Sequence, residues 1–346
     1  MKDNLKTLSL FSAPPGREDF AANLISEIFS KYCDSVTVDN FNNVCGIKKT
    51  GIENSKKIAL YAHMDEIALM VTDIDNHGFI SFISIGGVDP RILLSQEVII
   101  HGKREVYGVI GTKPPHLQID NESKEIIIEK LYIDIGMTRE QINGIIRVGD
   151  YITFKGKWIE LQNNIVSSKS LDNRAGVTVL IEVMKELSED SLDSQIIFNA
   201  TTQEEVGLRG ATINAYTVEP DLAIVVDAGF GDMSGLDKDE TFILGKGPAI
   251  GIGPNMHPVL SKELINYAKQ NNIPYQIDVE PGNTGTEAWT IQISKIGVPV
   301  LLISIPLRYM HTTVETISLD DVIASAKLIS GFIRHIQGRL EELMCL

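Results

Sequence analysis

Residues 56–66 read KKIALYAHMDE, so the apolar run at 58–62 is followed at once by His63, Asp65 and Glu66. A run that is apolar on both faces is typical of a central strand in a sheet covered on both sides. Three later runs share this character: IIFNA at 196–200, LAIVV at 222–226 and VPVLLISI at 298–305. Helical patterns separate them, which predicts an α/β fold with parallel strands and helices on both faces.

Strand-like segments dominate the chain from about residue 67 to 165. They include GFISFISIGG, EVIIHGK, YGVIGT and DYITFKG, separated by glycine, proline and aspartate turns. Because the α/β pattern runs on both sides of this stretch, we interpret it as an insertion. The predicted domains are an α/β catalytic domain at 1–66 and 166–346, and a β-rich inserted domain at 67–165.

Composition excludes several classes of function. The 346 residues carry 31 basic and 46 acidic side chains, a net charge of -15, which disfavours binding to nucleic acid or to an anionic membrane surface. Cys33, Cys45 and Cys345 have no CxxC spacing, so neither a disulfide framework nor a thiolate zinc site is indicated. No apolar run approaches the roughly 20 residues needed to span a bilayer, and no signal peptide is evident. We expect a soluble, cytoplasmic protein.

Ligand-type residues follow each of the central strands. In open α/β sheets, ligands bind beyond the carboxyl ends of the strands, so these residues should meet on one rim. Asp172, in SLDNRAG, begins the helix that re-enters the α/β domain and should lie at the same edge. The residues that follow the four strands are His63 and Asp65, then Glu204 and Glu205, then Asp227, and finally His311.

Histidine and carboxylate ligands without cysteine suit zinc, cobalt or manganese, and a carboxylate that bridges two ions suits a two-metal hydrolase. If the chain is still extended at 63–65, Asp65 shares a face with His63 and would fix its ring. Glu204 and Glu205 are adjacent and should point differently. One would then bind metal while the other acts as general base on an attacking water.

Each of these residues also has an ordinary structural explanation. Taken alone, His63 would be a hydrogen-bonded histidine at a strand end with no ligand role. Glu204 and Glu205 would suit a helix N-terminus. Asp172 with Asn173 would serve as an N-cap, and Asp227 would open a turn. Their coincidence after four core strands favours a site. The other histidines follow no such strand and are interpreted as surface or structural: His77, His101, His116, His257 and His335.

Five motifs in this order, HMDEIALM, LDNRAG, TTQEEVGLRGA, VVDAG and RYMHT, resemble the M42 family of dinuclear metallo-aminopeptidases, the tetrahedral or glutamyl aminopeptidase group. The resemblance covers nearly the whole chain. It implies a peptidase-type mixed sheet with helices on both faces and an inserted PDZ-like β domain. It also implies self-association as a dimer or a tetrahedral dodecamer.

The resemblance further implies a role for each site residue. His63 and Asp227 would bind one divalent ion, Glu205 and His311 the other, and Asp172 would bridge them. Glu204 would be the general base and Asp65 would support His63. The implied reaction is hydrolysis of the N-terminal peptide bond of short peptides, with two divalent ions (Zn, Co or Mn) per subunit.

Three positions depart from the usual family pattern. Ala68 stands where glycine is common, Asn173 where a second aspartate is frequent, and Thr-Glu-Ala at 286–288 where the family has Thr-Asp-Ala. No proposed ligand is replaced, but Glu287 leaves the side-chain preference of the substrate pocket open. Arg91 is either a surface arginine or a group that recognises an acidic side chain.

Other functions stay open from the sequence. A dipeptidase, carboxypeptidase or deacylase would keep the metals, and two neighbouring acids would in principle serve an endoglucanase. A catalytically vestigial assembly protein is a further alternative.

Overall fold

The protein is described by a computed structural model that covers residues 1–114, 125–237 and 241–344. Two residues of the sequence interpretation, His116 and Cys345, lie outside the described residues. The strands are β1 Ser35–Val38, β2 Val44–Lys48, β3 Lys57–His63, β4 Ala68–Ile74, β5 Ile80–Ile85, β6 Glu97–His101, β7 Glu105–Thr112, β8 Leu131–Asp134, β9 Tyr151–Phe154, β10 Ile159–Glu160, β11 Ile165–Ser168, β12 Gln195–Thr201, β13 Leu222–Phe230, β14 Ala249–Ile252, β15 Gln276–Val279, β16 Val300–Arg308 and β17 Glu315–Ser318.

The helices surround a large mixed sheet. They are α1 Lys2–Leu10, α2 Asp19–Phe29, α3 Arg139–Ile142, α4 Leu171–Leu187, α5 Arg209–Val218, α6 Pro258–Gln270, α7 Glu287–Gln292, α8 Leu319–His335 and α9 Leu340–Met344. The sequence pattern of the C-terminal region predicts one long helix over 318–343. The structure divides it at Gly338, whose φ of +70° ends the helical path and is a conformation that glycine adopts freely. No described helix is long and apolar enough to cross a membrane.

The large sheet has the strand order β1-β2-β12-β3-β13-β16-β17-β11-β10, with β14 and β15 attached beside β16. Its four central strands, β12, β3, β13 and β16, are parallel, as predicted. The register aligns His63 with Thr201 and Asp227 with Ser304. The carboxyl ends of all four strands therefore lie on the same edge of the sheet.

Strand β3 shows why the quoted run belongs at the centre. Leu60 and Ala62 pack into the core cluster on one face, whereas Ala59 and Tyr61 pack into the cluster on the opposite face. Successive side chains of a strand point to opposite faces, so a strand buried on both needs an unbroken apolar run.

The β-rich stretch forms a separate closed barrel with the order β4-β5-β8-β7-β6-β9. It has its own core, which includes Val71, Phe82, Ile100 and Ile152. The barrel strands extend from Ala68 to Phe154. Within the range predicted for the insertion, β10 pairs instead with β11 at the edge of the large sheet.

Candidate metal centre

Six side chains meet where the central strands end. They form overlapping groups whose potential metal-ligating atoms lie within 4.8 Å of one another. One group contains His63, Asp172 and Asp227, another contains Asp172, Glu205 and His311, and a third joins His63 to Glu204 and Glu205. The structure therefore brings together Asp172 and five of the six residues predicted from the strand ends. The sixth, Asp65, lies next to His63.

Asp172 lies between the two imidazoles. Its Oδ1 is 3.2 Å from His63 Nε2, and its Oδ2 is 3.5 Å from His311 Nε2. Asp227 approaches the His63 side, with 3.7 Å between Oδ1 and Nε2, while Glu205 Oε2 is 3.4 Å from His311 Nε2. The carboxylate of Asp172 thus offers one oxygen to each half of the cluster.

The backbone around Asp172 is irregular, which turns its side chain into the cluster. Ser170 has a left-handed conformation with φ 55°, and Asp172 and Asn173 have non-helical angles at the start of α4. Asn173 Oδ1 accepts the Gly176 N–H, and its Nδ2 donates to the Val226 carbonyl at 2.7 Å. The capping role considered for this pair therefore belongs to Asn173. An aspartate there would lack the donor that reaches β13.

Asp65 holds the backbone of both adjacent glutamates. Its Oδ1 accepts the Glu204 N–H at 3.0 Å and its Oδ2 accepts the Glu205 N–H at 3.1 Å. The same Oδ1 is 3.5 Å from His63 Nδ1, an atom with no hydrogen-bond partner among the described residues. Sequence spacing gave no signal for the two backbone contacts, because the partners are about 140 residues apart.

Glu66, the last residue of the quoted stretch, has a different role. Its Oε1 accepts the Ala13 N–H at 2.8 Å, and its Oε2 accepts from Lys169 Nζ and from Ser170 Oγ. Burial raises the pKa of Glu66, but the Lys169 and Arg174 charges outweigh it and hold that pKa below its ordinary value. This buried ion pair ties the N-terminal segment to the turn before Asp172.

The cluster has strongly perturbed proton affinities. Burial and the neighbouring acids Asp227 and Glu205 raise the pKa of Glu204 to about 10, against the opposing effect of His63. Burial and the charge of Asp172 raise the pKa of Asp227 well above its ordinary value, again against His63.

Both imidazoles respond to the carboxylates around them. Burial would lower the pKa of His63, but Glu204 and Asp172 outweigh it, and the pKa lies well above 6.5. Burial also opposes the charge on His311, yet Asp172 and Glu205 raise its pKa to about 11. Burial would raise the pKa of Asp172, but His311 and His63 outweigh it and hold that pKa below its ordinary value. A bound cation would displace the protons held by the two imidazoles and by the acids whose pKa is raised.

Glu287 lies close to this cluster and is 1% exposed. Its Oε1 accepts from Thr201 Oγ1, while its Oε2 has no described partner. Burial, the largest effect, raises its pKa to about 7, although His63 and the Thr201 hydroxyl oppose that shift. The sequence departure at 286–288 therefore places a longer buried acid, glutamate in place of aspartate, beside the site.

Arg91 and the other described histidines lie outside the cluster. Arg91 is exposed and pairs with Asp89. His101 Nε2 contacts Thr153 Oγ1 in the barrel, and His335 Nε2 contacts Glu263. His257 accepts the Leu260 N–H at the start of α6.

An α/β sheet whose strand ends gather imidazoles and carboxylates is typical of metal-dependent hydrolases. The sequence model of M42 glutamyl aminopeptidases matches residues 42–328. A putative aminopeptidase of Acetivibrio thermocellus is 38% identical over 95% of this chain and 97% of its own.

Two solved structures are similar over the full length. Aminopeptidase APDkam598 from Desulfurococcus kamchatkensis has a TM-score of 0.91 and 37% identity, covering 99% of this chain and 97% of that one. Pyrococcus horikoshii TET1 peptidase, described as assembling into a tetrahedron or a large octahedral shell, has a TM-score of 0.84 and 32% identity, with 96% and 98% covered. The chain belongs to the M42 peptidase family and is a hydrolase that acts on peptides.

Proposed function

We propose that this protein is an aminopeptidase that uses two divalent ions, Zn, Co or Mn, to remove the N-terminal residue from short peptides. The observation that carries the proposal is the position of Asp172, whose two oxygens face His63 and His311 separately. A carboxylate between two imidazole-containing halves would suit a pair of ions that it bridges.

The donor set fits such a pair. His63 and Asp227 would hold one ion, Glu205 and His311 the other, and Asp172 would contribute to both. Carboxylates and imidazoles without thiolate suit Zn, Co or Mn. Bound ions would polarise the scissile carbonyl and lower the pKa of the attacking water.

Glu204 would act as the general base. It approaches His63 Nε2 at 3.9 Å from Oε2, and its side chain keeps 11% exposure, so substrate and water can reach it. Nearby positive charge would lower its raised pKa and favour the carboxylate. Glu204 would take the proton of the attacking water and pass it to the leaving amine, while Asp65 orients His63 and both glutamates.

Self-association is the second part of the proposal. The 67–165 insertion, with its closed barrel, would mediate pairing of subunits into a dimer or a tetrahedral dodecamer, in line with the assembly described for the Pyrococcus horikoshii TET1 peptidase. The PDZ-like character of this insertion and the cytoplasmic location stay predictions.

The activity is tested with paired free and N-acetylated amino-acyl anilides and short peptides, with added metal or chelator. We expect release from free N-termini only, abolished by chelator. Release of acetate from the acetylated substrates would indicate a deacylase. Release of the carboxyl-terminal residue of a peptide would indicate a carboxypeptidase. Absence of turnover with any metal would favour a vestigial site. Hydrolysis of cellulose that resists the chelator would favour an endoglucanase.

A further inference from the structure

Glu315 is a buried acid at the start of β17 that is not among the proposed ligands. Its Oε2 accepts the backbone N–H of Asp172 at 3.0 Å. Its Oε1 accepts the backbone N–H of His311, also at 3.0 Å. One carboxylate therefore holds the main chain of two residues that the proposed function assigns to metal binding.

Both amides lie in irregular backbone and need a partner from outside regular structure. His311 has a φ of 59°, a left-handed conformation that is uncommon for a non-glycine residue. Asp172 has φ -78° and ψ 107°, which removes it from the helical pattern of α4. A buried N–H left without a partner is unfavourable, so the Glu315 oxygens stabilise both conformations.

The sheet register puts Glu315 where it can reach both segments. Glu315 pairs with Ser168 at the end of β11, and that strand leads directly to the turn that carries Asp172. On its other side, the chain preceding β17 carries His311. The side chain of Glu315 therefore lies between two segments that are remote in sequence.

We propose that Glu315 is a positioning residue for metal binding, which fixes the Asp172 carboxylate and the His311 imidazole relative to each other before an ion arrives. This inference rests on the proposed function. In the structure the two side chains are already 3.5 Å apart, between Oδ2 and Nε2. The ion assigned to Glu205 and His311 depends on both contacts of Glu315, whereas the ion assigned to His63 and Asp227 depends on the Asp172 contact alone.

The test is Glu315→Gln, which retains the shape but replaces one acceptor oxygen with an NH2 group that faces a backbone N–H. Asp321→Asn is a matched control. Asp321 is also buried, and its two oxygens accept the N–H groups of Gly245 and Gly247, both at 2.7 Å. It therefore makes the same type of contact without touching a proposed ligand.

Chelator-stripped full-length protein is titrated with Co²⁺, and binding is followed by calorimetry and by visible absorption. For Glu315→Gln we expect the affinity for the ion assigned to Glu205 and His311 to fall about 10–100-fold. The affinity for the other ion should fall less, and the cobalt spectrum should change. Asp321→Asn should bind both ions like the wild type, even if its melting temperature falls.

The outcomes separate this inference from the proposed function. A wild type that binds two ions and a Glu315→Gln protein with unchanged affinities and spectrum would overturn the inference alone. A wild type that binds fewer than two ions would overturn the two-ion function and the inference with it.

A second measurement applies if Glu315→Gln does not fold. In metal-free wild-type protein, the amides of Asp172 and His311 should exchange hydrogen slowly, because Glu315 already holds them. Exchange at the rate of an unprotected loop would overturn the inference.

Discussion

At the residue scale, five acids of the site fall into two groups that differ in what their oxygens contact. Asp172, Glu205 and Asp227 direct their oxygens towards an imidazole. Asp65 and Glu315 each accept two backbone N–H groups and so fix the chain that carries the others. Because both oxygens of each side chain accept an N–H group, these hydrogen bonds hold the carboxyl group in one orientation.

Glu204→Gln is expected to keep both ions and to lose turnover about 10²–10⁴-fold, because the amide cannot take a proton from water. Metal content and kcat are measured on the same preparation. Glu205→Gln is the matched neighbour and should instead lower metal content. Glu204→Gln activity within a few-fold of wild type would refute the assignment as base.

Glu287→Gln is expected to change how stability depends on pH. The folded-state pKa of Glu287 is about 7 and its ordinary value is 4.5, so between these values the folded protein keeps a proton that the unfolded chain releases. Stability therefore falls as pH rises through this window, by at most about 3 kcal/mol from this residue.

Urea unfolding of metal-free protein from pH 4.5 to 8 measures the effect. Gln is neutral at every pH, so the variant should lose less stability than the wild type over this range. The exposed Glu129→Gln is the control and should follow the wild type. If the free energy of unfolding of Glu287→Gln and of the wild type changed in parallel with pH, the raised pKa of Glu287 would be refuted.

The sequence could predict the acids that face the imidazoles, because Glu205 and Asp227 follow the apolar runs of central strands in the parallel sheet and Asp172 begins the helix that re-enters the α/β domain. It could not predict Glu315 or the backbone contacts of Asp65. The contacts of Glu315 depend on left-handed and non-helical conformations at His311 and Asp172, which have no pattern of spacing. The contacts of Asp65 join residues about 140 positions apart.

At the element scale, the close packing of α4 against β13 brings Asp172 beside Asp227. Gly176 lies in the first part of α4, where an added Cβ would be 2.9 Å from the Val226 carbonyl oxygen and 2.3 Å from Asn173 Oδ1. Asn173 binds that same carbonyl. The absence of a side chain at Gly176 therefore permits the contact between helix and strand.

Gly176→Ala is expected to destabilise the protein by about 1–3 kcal/mol through overpacking, and to weaken metal binding by displacing Asp172 from Asp227. Thermal unfolding and Co²⁺ titration measure the two effects. Gly51→Ala is the control, because a Cβ there meets nothing within 4 Å. Equal behaviour of the two variants would show that α4 and β13 are not held by this contact.

The central strands were predictable because they are apolar on both faces, as Leu60 and Tyr61 illustrate. The elements at the edges of the fold were less predictable from the sequence. Strand β10 has only two residues, both exposed, and its place beside β11 results from tertiary pairing rather than from an apolar pattern. The break between α8 and α9 depends on one glycine with positive φ.

At the scale of the whole molecule, the barrel presents apolar side chains to solvent. Ile83, Tyr107, Val109 and Tyr132 are exposed on the neighbouring strands β5, β7 and β8. Exposed apolar surface of this kind is typical of an interaction site, and a second copy of the chain is the partner that the proposed function requires.

Val109→Glu is expected to shift the protein to smaller species in sedimentation velocity, because an interface would bury the new charge without a partner. Ile52→Glu, at a similarly exposed position in the β2–β3 loop, should leave the distribution unchanged. An identical mass distribution for Val109→Glu and wild type would exclude this face from the assembly.

Titration of chelator-stripped protein with Co²⁺, while release of a free N-terminal residue is followed, shows whether two ions serve one active site. We expect activity to rise from zero and to reach its plateau at two ions per chain. A plateau at one ion per chain, or activity that survives chelation, would contradict this expectation.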